Sequence, residues 1–334
     1  MIIGSVDLSR EILVIAEIGN NHEGDFGLAR EMIFAAAAAG VQVVKFQTIQ
    51  PERLVSLGQP ARIEQLRRYA FSREQFAELA AVARLAGVMF MSTPFSVDAV
   101  GWLDELVPAF KIASGDNNFE RLLTAVAATG KPVLLSTGMT DLAGINKSCA
   151  LIDGAAPAKA GGIAVLHCVS AYPTPVEQAN LLAIQELSRE TGRVVGYSDH
   201  TLGIEAASLA VALGARIIEK HFTLSKTQSD FRDHALSVDA AELAELVRRV
   251  RTASLMLGSG CKSPQPAEMA TIVAARRSIA TFGALPAGHV LTENDLDWLR
   301  PGDGFAPGQE VEVLGRRLTR AASSGEIITP DMLV

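Results

Sequence analysis

Short apolar runs rich in β-branched residues recur along the first 260 residues, and nearly all of them end in polar side chains. They are VIAEIG (14–19), VVKFQT (43–48), VMFMST (88–93), AFKIAS (109–114), VLLSTG (133–138), IAVLHCV (163–169), VVGYSDH (194–200) and IIEKHF (217–222). Runs of this length and composition, bounded by turn-forming residues, read as strands buried on both faces. Helix-like segments fall between them at 28–39, 73–86, 120–128 and 203–213, and one more at 240–257 follows the last strand. Eight strand–helix units in about 260 residues agree in number and length with a (β/α)8 TIM barrel. A doubly wound open sheet is the alternative, but it gathers its chemistry at one switch point. Polar residues at almost every strand end suit a barrel mouth better.

The pattern changes after Gly258. The stretch GSGCKSPQPAEM (258–269) carries Gly, Ser and two prolines and reads as a linker. From residue 276 onward the segments are short and punctuated by Gly and Pro, which predicts a small β-rich domain. The expected organisation is a barrel over 1–260, a linker over 261–275 and a second domain over 276–334. A domain of about 60 residues is marginal alone and needs a surface to dock on.

Composition narrows the class. Hydrophobic residues make up 49% of the 334 and aromatics only 5%, so the core is built from Ala, Val, Leu and Ile. A formal net charge of −7 argues against a nucleic-acid or anionic-membrane surface. A local basic pocket for a small anion is still allowed. Cys149, Cys168 and Cys261 show no CxxC spacing, which predicts free thiols rather than structural zinc or a disulfide framework. No basic segment followed by an apolar stretch opens the chain, and the longest apolar run, FAAAAAG (34–40), is too short to span a bilayer. A soluble, cytoplasmic protein is expected.

Two of these strands carry histidines at their ends, His200 and His221, on consecutive strand–helix units. Two imidazoles at one edge of a parallel sheet point to a divalent metal, and the nearby carboxylates Glu17 and Asp233 suit a borderline-hard ion such as Mn²⁺ or Fe²⁺. Neutral histidines that only hydrogen-bond would look the same in sequence. His22, His167, His234 and His289 lack this arrangement and are expected to pack or to face solvent. The other strand ends offer Glu17, Lys45, Gln47, Lys111, Ser114, Ser136, Thr137, Ser198 and Lys220. A lysine inside an apolar strand is costly unless an anion meets it. Lys45 and Lys111 with nearby hydroxyls would grip a phosphate or carboxylate. The bland alternative pairs each lysine with a barrel glutamate such as Glu17 or Glu219.

The segments AEIGNNHEG (16–24), VVKFQT, STPF (92–95), KIASGD (111–116) and LSTGM (135–139) resemble the sialic acid synthase family. So do HCVSAYPTP (167–175), YSDHTLG (197–203), EKHFT (219–223) and RDHALS (232–237). LRPGDG (299–304) and LGRRL (314–318) resemble the antifreeze-like (SAF) domain that these synthases carry. The resemblance runs in order along nearly the whole chain. It implies a TIM barrel with a C-terminal antifreeze-like domain. It also implies an enzyme that condenses phosphoenolpyruvate with an N-acyl hexosamine to a nine-carbon 2-keto sugar acid. By motif match, His200 and His221 are similar to the metal-binding histidines, with Mn²⁺ the usual ion and Mg²⁺ or Co²⁺ as alternatives. Lys45, Lys111, Ser114, Ser136 and Ser198 fall where the family grips phosphoenolpyruvate. Glu17, Gln47, Tyr172 and Asp233 fall where it handles the acceptor sugar and protons. Arg300 matches an arginine that reaches into the barrel of a partner subunit, so the resemblance also implies a domain-swapped homodimer.

The chain leaves the N-acetylneuraminate synthase pattern at Asp116, where that subgroup has Glu, at Ser170, where it has Asn, and in RDHALS. These changes leave the reaction class intact and open the choice of acceptor: N-acetylmannosamine most simply, or the N-acyl sugar of a legionaminate, pseudaminate or spore-coat-type synthase. Rivals from other classes are a metal-dependent pyruvate aldolase, which would release no phosphate, and a non-catalytic sugar-binding protein.

Overall fold

A computed structural model describes residues 1–334. The chain divides into two compact units, Met1–Gly258 and Ser259–Val334. The first begins with a small antiparallel hairpin, β1 (Ile2–Ile3) and β2 (Val6–Asp7). Eight strands follow: β3 (Leu13–Gly19), β4 (Val43–Thr48), β5 (Met89–Pro94), β6 (Phe110–Ile112), β7 (Val133–Ser136), β8 (Ile163–Cys168), β9 (Val194–Asp199) and β10 (Ile217–His221). They form one parallel sheet in the order β5-β4-β3-β10-β9-β8-β7-β6. The terminal strands β5 and β6 pack beside each other without a hydrogen-bonded ladder, so the row curls into a nearly closed barrel. This is the expected (β/α)8 fold.

Side chains alternate between the two faces of each strand, and the inward series explains where the chemistry lies. Leu13 and Ile15 precede Glu17, Val43 precedes Lys45, and Met91 precedes Thr93. Likewise Ala109 precedes Lys111, Leu134 precedes Ser136, and Ile217 precedes Glu219 and His221. The lower, apolar members form one buried cluster with Ile3, Val6 and Leu8, so the N-terminal hairpin plugs the barrel floor. Gly196 is required in this layer, because a Cβ there would sit 2.7 Å from Ile217 Cβ and 2.8 Å from its carbonyl oxygen. The outward faces pack against the surrounding helices in a second, larger cluster.

The helices end where capping chemistry places them. Asp25 caps Phe26–Ala38 by accepting from Leu28 N, and Ser72 and Asp239 form capping boxes with Gln75 and Glu242 at the starts of Arg73–Leu85 and Ala240–Leu257. The sequence expectations for these elements hold to within one or two residues. Two departures have clear causes. The expected strand 109–114 shrinks to Phe110–Ile112 because Ser114–Asp116 turns into a 3₁₀ helix. The helix Pro60–Tyr69 escapes the pattern because only Ile63 and Leu66 of its residues are buried.

The second unit contains the antiparallel pair β11 (Ser278–Thr281) and β12 (Leu296–Leu299). Its core joins Ile279, Leu291, Leu296, Val313, Leu318, Ile328 and Met332. Within the expected linker at 261–275 the second half is helical, Met269–Ala275, with no buried side chain. A helix with no apolar face in the core gives no burial pattern to read. No helix of the chain is long and apolar enough to cross a membrane.

Candidate active site

The carboxyl ends of the barrel strands surround a cavity of about 910 Å³. At its base, four charged side chains lie within the barrel, each no more than 4% exposed: Glu17, Lys45, Lys111 and Glu219. Lys45 Nζ is 2.5 Å from Glu17 Oε2 and 3.6 Å from Glu219 Oε2, and Lys111 Nζ is 3.5 Å from Glu219 Oε1. Thr93 Oγ1 accepts a further hydrogen bond from Lys45 (3.1 Å), and Ser198 Oγ donates to Glu219 (2.9 Å). The lysines therefore pair with barrel glutamates, as the bland alternative expected, and they also line the cavity.

The two carboxylates differ. Burial raises the Glu17 carboxyl above its ordinary value, against the pull of Lys45 and with the charge of Glu219 adding to the rise. Burial also acts on Glu219, but Lys111, Lys45 and the Ser198 hydroxyl outweigh it and hold that carboxyl at about 2. Burial opposes the charge of Lys45, yet Glu17 and Glu219 keep its ammonium above the ordinary lysine range. The two carboxyls are thus pushed in opposite directions, Glu17 toward its protonated form and Glu219 toward its ionised one.

His200 and His221 come together as expected, with ring centroids 5.4 Å apart. His200 Nδ1 is 2.9 Å from the Val169 carbonyl oxygen, an acceptor. A carbonyl only accepts, so Nδ1 is the donor here, and Nε2 is the nitrogen left for a metal. Burial lowers the His221 imidazole to about 4, which keeps it neutral near pH 7, and its Nδ1 is buried with no hydrogen-bond partner. Two adjacent imidazoles, His221 held neutral by burial and His200 with its Nδ1 already bonded, fit a divalent cation. No group of three or more His, Cys, Asp or Glu side chains could hold one, so such an ion would need solvent or substrate to complete its shell. Asp233 and Glu17 line the same cavity.

Ser136 Oγ and Ser170 Oγ are buried and lack protein partners, as does Asn20 Oδ1, and all three residues line the cavity. Hydroxyls left free beside two lysines suit an anionic ligand. Ser114 lines the cavity too, where its Oγ accepts from Gly138 N at 3.0 Å. Gln47 donates to Glu17 Oε1 (2.8 Å) and accepts from Asn20 (3.0 Å). The Tyr172 ring packs against that of His200, with centroids 4.1 Å apart and a tilt of 38°.

Two expected site residues stand apart. Asp116 does not line the cavity: it closes the Ser114–Asp116 turn, half-buried, with Oδ2 unpartnered, and burial raises its carboxyl to about 6. Arg300 is exposed at the end of β12 in the second unit. The other four histidines do pack as expected. His22 stacks on Phe71, His167 bonds the Ala179 carbonyl, His289 pairs with Asp295, and His234 is fully buried against Thr223 and Glu23.

The sequence reading missed Thr93, Cys168, Asn20 and Glu23, all in the cavity wall. Period-two counting from the apolar floor would have found Thr93 and Cys168. Glu23 sits at φ 47, with its Oε1 held by His234 Nε2 (2.9 Å) and Ser229 Oγ (2.8 Å), and no sequence signal announces that arrangement.

Comparison with known proteins agrees with this geometry. The NeuB family model matches residues 32–262, and the SAF domain model matches 276–334. An uncharacterized protein of Methanocaldococcus jannaschii is 42% identical, covering 96% of this chain and 94% of its own. The N,N'-diacetyllegionaminic acid synthase of Legionella pneumophila is 37% identical, covering 95% and 93%. The crystal structure of the N-acetylneuraminic acid synthetase of Leptospira borgpetersenii, in complex with citrate, superposes with a TM-score of 0.77 at 35% identity, covering 81% of this chain and 94% of that one. The family match spans most of the chain, and synthases align along nearly all of it, so this chain is an enzyme of the NeuB family with a SAF domain at its C-terminal end.

Proposed function

We propose that the enzyme condenses phosphoenolpyruvate with an N-acyl hexosamine and releases phosphate by C–O cleavage, giving a nine-carbon 2-keto sugar acid. The observation that carries the reading is the pair Lys45 and Lys111 with the free hydroxyls of Ser136 and Ser170, in one cavity with the imidazoles of His200 and His221. Mere sugar binding needs no such buried cations, and a pyruvate aldolase needs no phosphate grip. The lysines neutralise the phosphate and carboxylate and fix the enol carbon over the acceptor aldehyde. His200 and His221 would hold a divalent ion, Mn²⁺ in the first instance, whose chemistry when bound is Lewis-acid polarisation of the aldehyde. Glu17, with its raised carboxyl, takes the proton from the water that adds at C2. Phosphate then leaves from the tetrahedral carbon, and Glu219 stays beside both lysines as their counter-charge.

N-acetylmannosamine is the simplest acceptor, and its product would be N-acetylneuraminate. A second reading, the N-acyl sugar acceptor of a legionaminate synthase, is favoured by the Legionella relative, an N,N'-diacetyllegionaminic acid synthase at 37% identity. The resemblance of LRPGDG further supports a homodimer in which Arg300 completes the partner's site. Release of inorganic phosphate from phosphoenolpyruvate, measured with Mn²⁺ across a panel of N-acyl hexosamines, tests the reading. Turnover with one acceptor class is expected. Turnover of pyruvate in place of phosphoenolpyruvate, or phosphate release with no acceptor in the panel, would sink it.

A further inference from the structure

We propose that Asp199 and Lys220 form a positioning pair that sets the spacing of His200 and His221. The inference rests on the metal reading above. The ladder between β9 and β10 runs through Ile218–Tyr197, Glu219–Ser198 and Lys220–Asp199, and stops there. Both histidines lie one residue beyond that last paired step, where no backbone bond between these strands holds them at a fixed distance. The side chains take over at this point. Lys220 Nζ donates to Asp199 Oδ2 (2.9 Å) and to the Thr201 carbonyl (2.5 Å), so it grips the chain on both sides of His200. Lys220 is itself the neighbour of His221. Asp199 Oδ1 accepts from Thr201 N (2.8 Å) and Thr201 Oγ1 (2.7 Å), which closes the turn after His200.

Alternation along the strands puts this pair on the faces away from the cavity, behind Ser198 and Glu219, and neither Asp199 nor Lys220 lines the cavity. Both side chains are 0% exposed. A buried ion pair of this kind is weak evidence for stability, because well-packed apolar side chains often replace it without loss. A fixed geometry between two ligands is what the pair adds, since side chains supporting metal ligands alter affinity by about 10–100-fold.

The test replaces the whole pair, as removing one partner alone would strand a buried charge. Asp199→Leu/Lys220→Met is expected to fold, with its melting temperature near that of the wild type. Its Kd for Mn²⁺, followed by electron paramagnetic resonance of free Mn²⁺, is expected to rise about tenfold or more. A folded double variant with Mn²⁺ affinity within about twofold of the wild type would overturn the proposal. If the double variant does not fold, the milder pair Asp199→Asn/Lys220→Met, which strands no charge, decides: a Kd unchanged there also overturns it, and a weakened one supports it. A wild-type enzyme that binds no Mn²⁺ fails differently, because it removes the metal reading itself and this inference with it.

Discussion

The ring of Tyr172 lies 4.1 Å from that of His200, tilted by 38°, while the guanidinium carbon of Arg232 sits 4.7 Å from the centroid of the same tyrosine ring. His200 is thus fixed twice, in its tautomer by the Val169 carbonyl and in its plane by an aromatic face. Stacking of this kind contributes about 0.5–1.5 kcal/mol beyond area burial. Tyr172→Phe keeps the face and is expected to lower kcat/KM by less than about tenfold. Tyr172→Ala frees the imidazole and opens a gap, and a loss of about a hundredfold is expected. Equal losses in steady-state assays would show that the hydroxyl, not the ring, matters.

The two buried lysines are not equivalent, and their replacement separates folding from binding. Lys111→Met leaves Glu219 with Lys45 at 3.6 Å and with the Ser198 hydroxyl. Melting temperature should change little, while phosphoenolpyruvate binding should weaken by about 2–5 kcal/mol as a desolvated charge pair is lost. Lys45→Met leaves Glu17 with only the Gln47 amide. Stability should fall by about 3–5 kcal/mol at neutral pH, because a buried carboxylate loses its counter-ion. Protonating Glu17 relieves that loss, so the deficit should shrink as pH falls. A deficit that does not change with pH would show that Glu17 is not the stranded group.

How far the site was legible follows from the same layering. Every strand's inward series runs from apolar to polar, so Glu17, Lys45, Lys111, Ser136, Ser198, His200 and His221 were readable from periodicity and strand ends. The floor under them was not, since the Ile2–Asp7 hairpin is too short to carry a pattern and gains its burial only from the closed barrel. The Tyr172 stack and the Asp199–Lys220 pair were equally hidden, because each joins residues whose contact exists only after strands pair. Asp116 was placed at the sugar by motif alone. The 3₁₀ turn that carries it keeps it out of the cavity wall.

That placement gives Asp116 a pH signature. Burial raises its carboxyl to about 6 from an ordinary 3.8. A raised carboxyl means the folded state binds the proton more tightly than the unfolded one. The ionised group therefore costs stability, fully above about pH 6 and not at all below the unfolded value. Asp116→Asn should raise the melting temperature at pH 7.5 and leave it nearly unchanged at pH 4. After solvent screening is allowed for, the gain is roughly 1 kcal/mol. An equal gain at both pH values would mean that the mutation acts through shape and not charge.

Gly138 supplies the sharpest test of the anion grip. Its N–H donates to Ser114 Oγ at 3.0 Å, and its carbonyl accepts from Asn117 Nδ2 at 3.0 Å, so the backbone there is held from both sides. A Cβ at this position would lie 2.4 Å from Ser170 Oγ and 2.7 Å from Ser114 Oγ. Gly138→Ala must therefore push both hydroxyls off their places. Both belong to the cavity wall, and Ser170 Oγ breaks no bond by rotating, so folding should survive. The Kd for phosphoenolpyruvate, measured by isothermal titration, is expected to rise about tenfold, the equivalent of 1.4 kcal/mol. Adding Ser170→Ala removes the closer of the two collisions, and if that collision does the damage, part of the affinity should return in the double variant. Unaltered binding by Gly138→Ala would mean that neither hydroxyl touches the ligand, and the phosphate grip would then reduce to Lys45, Lys111, Ser136 and Ser198.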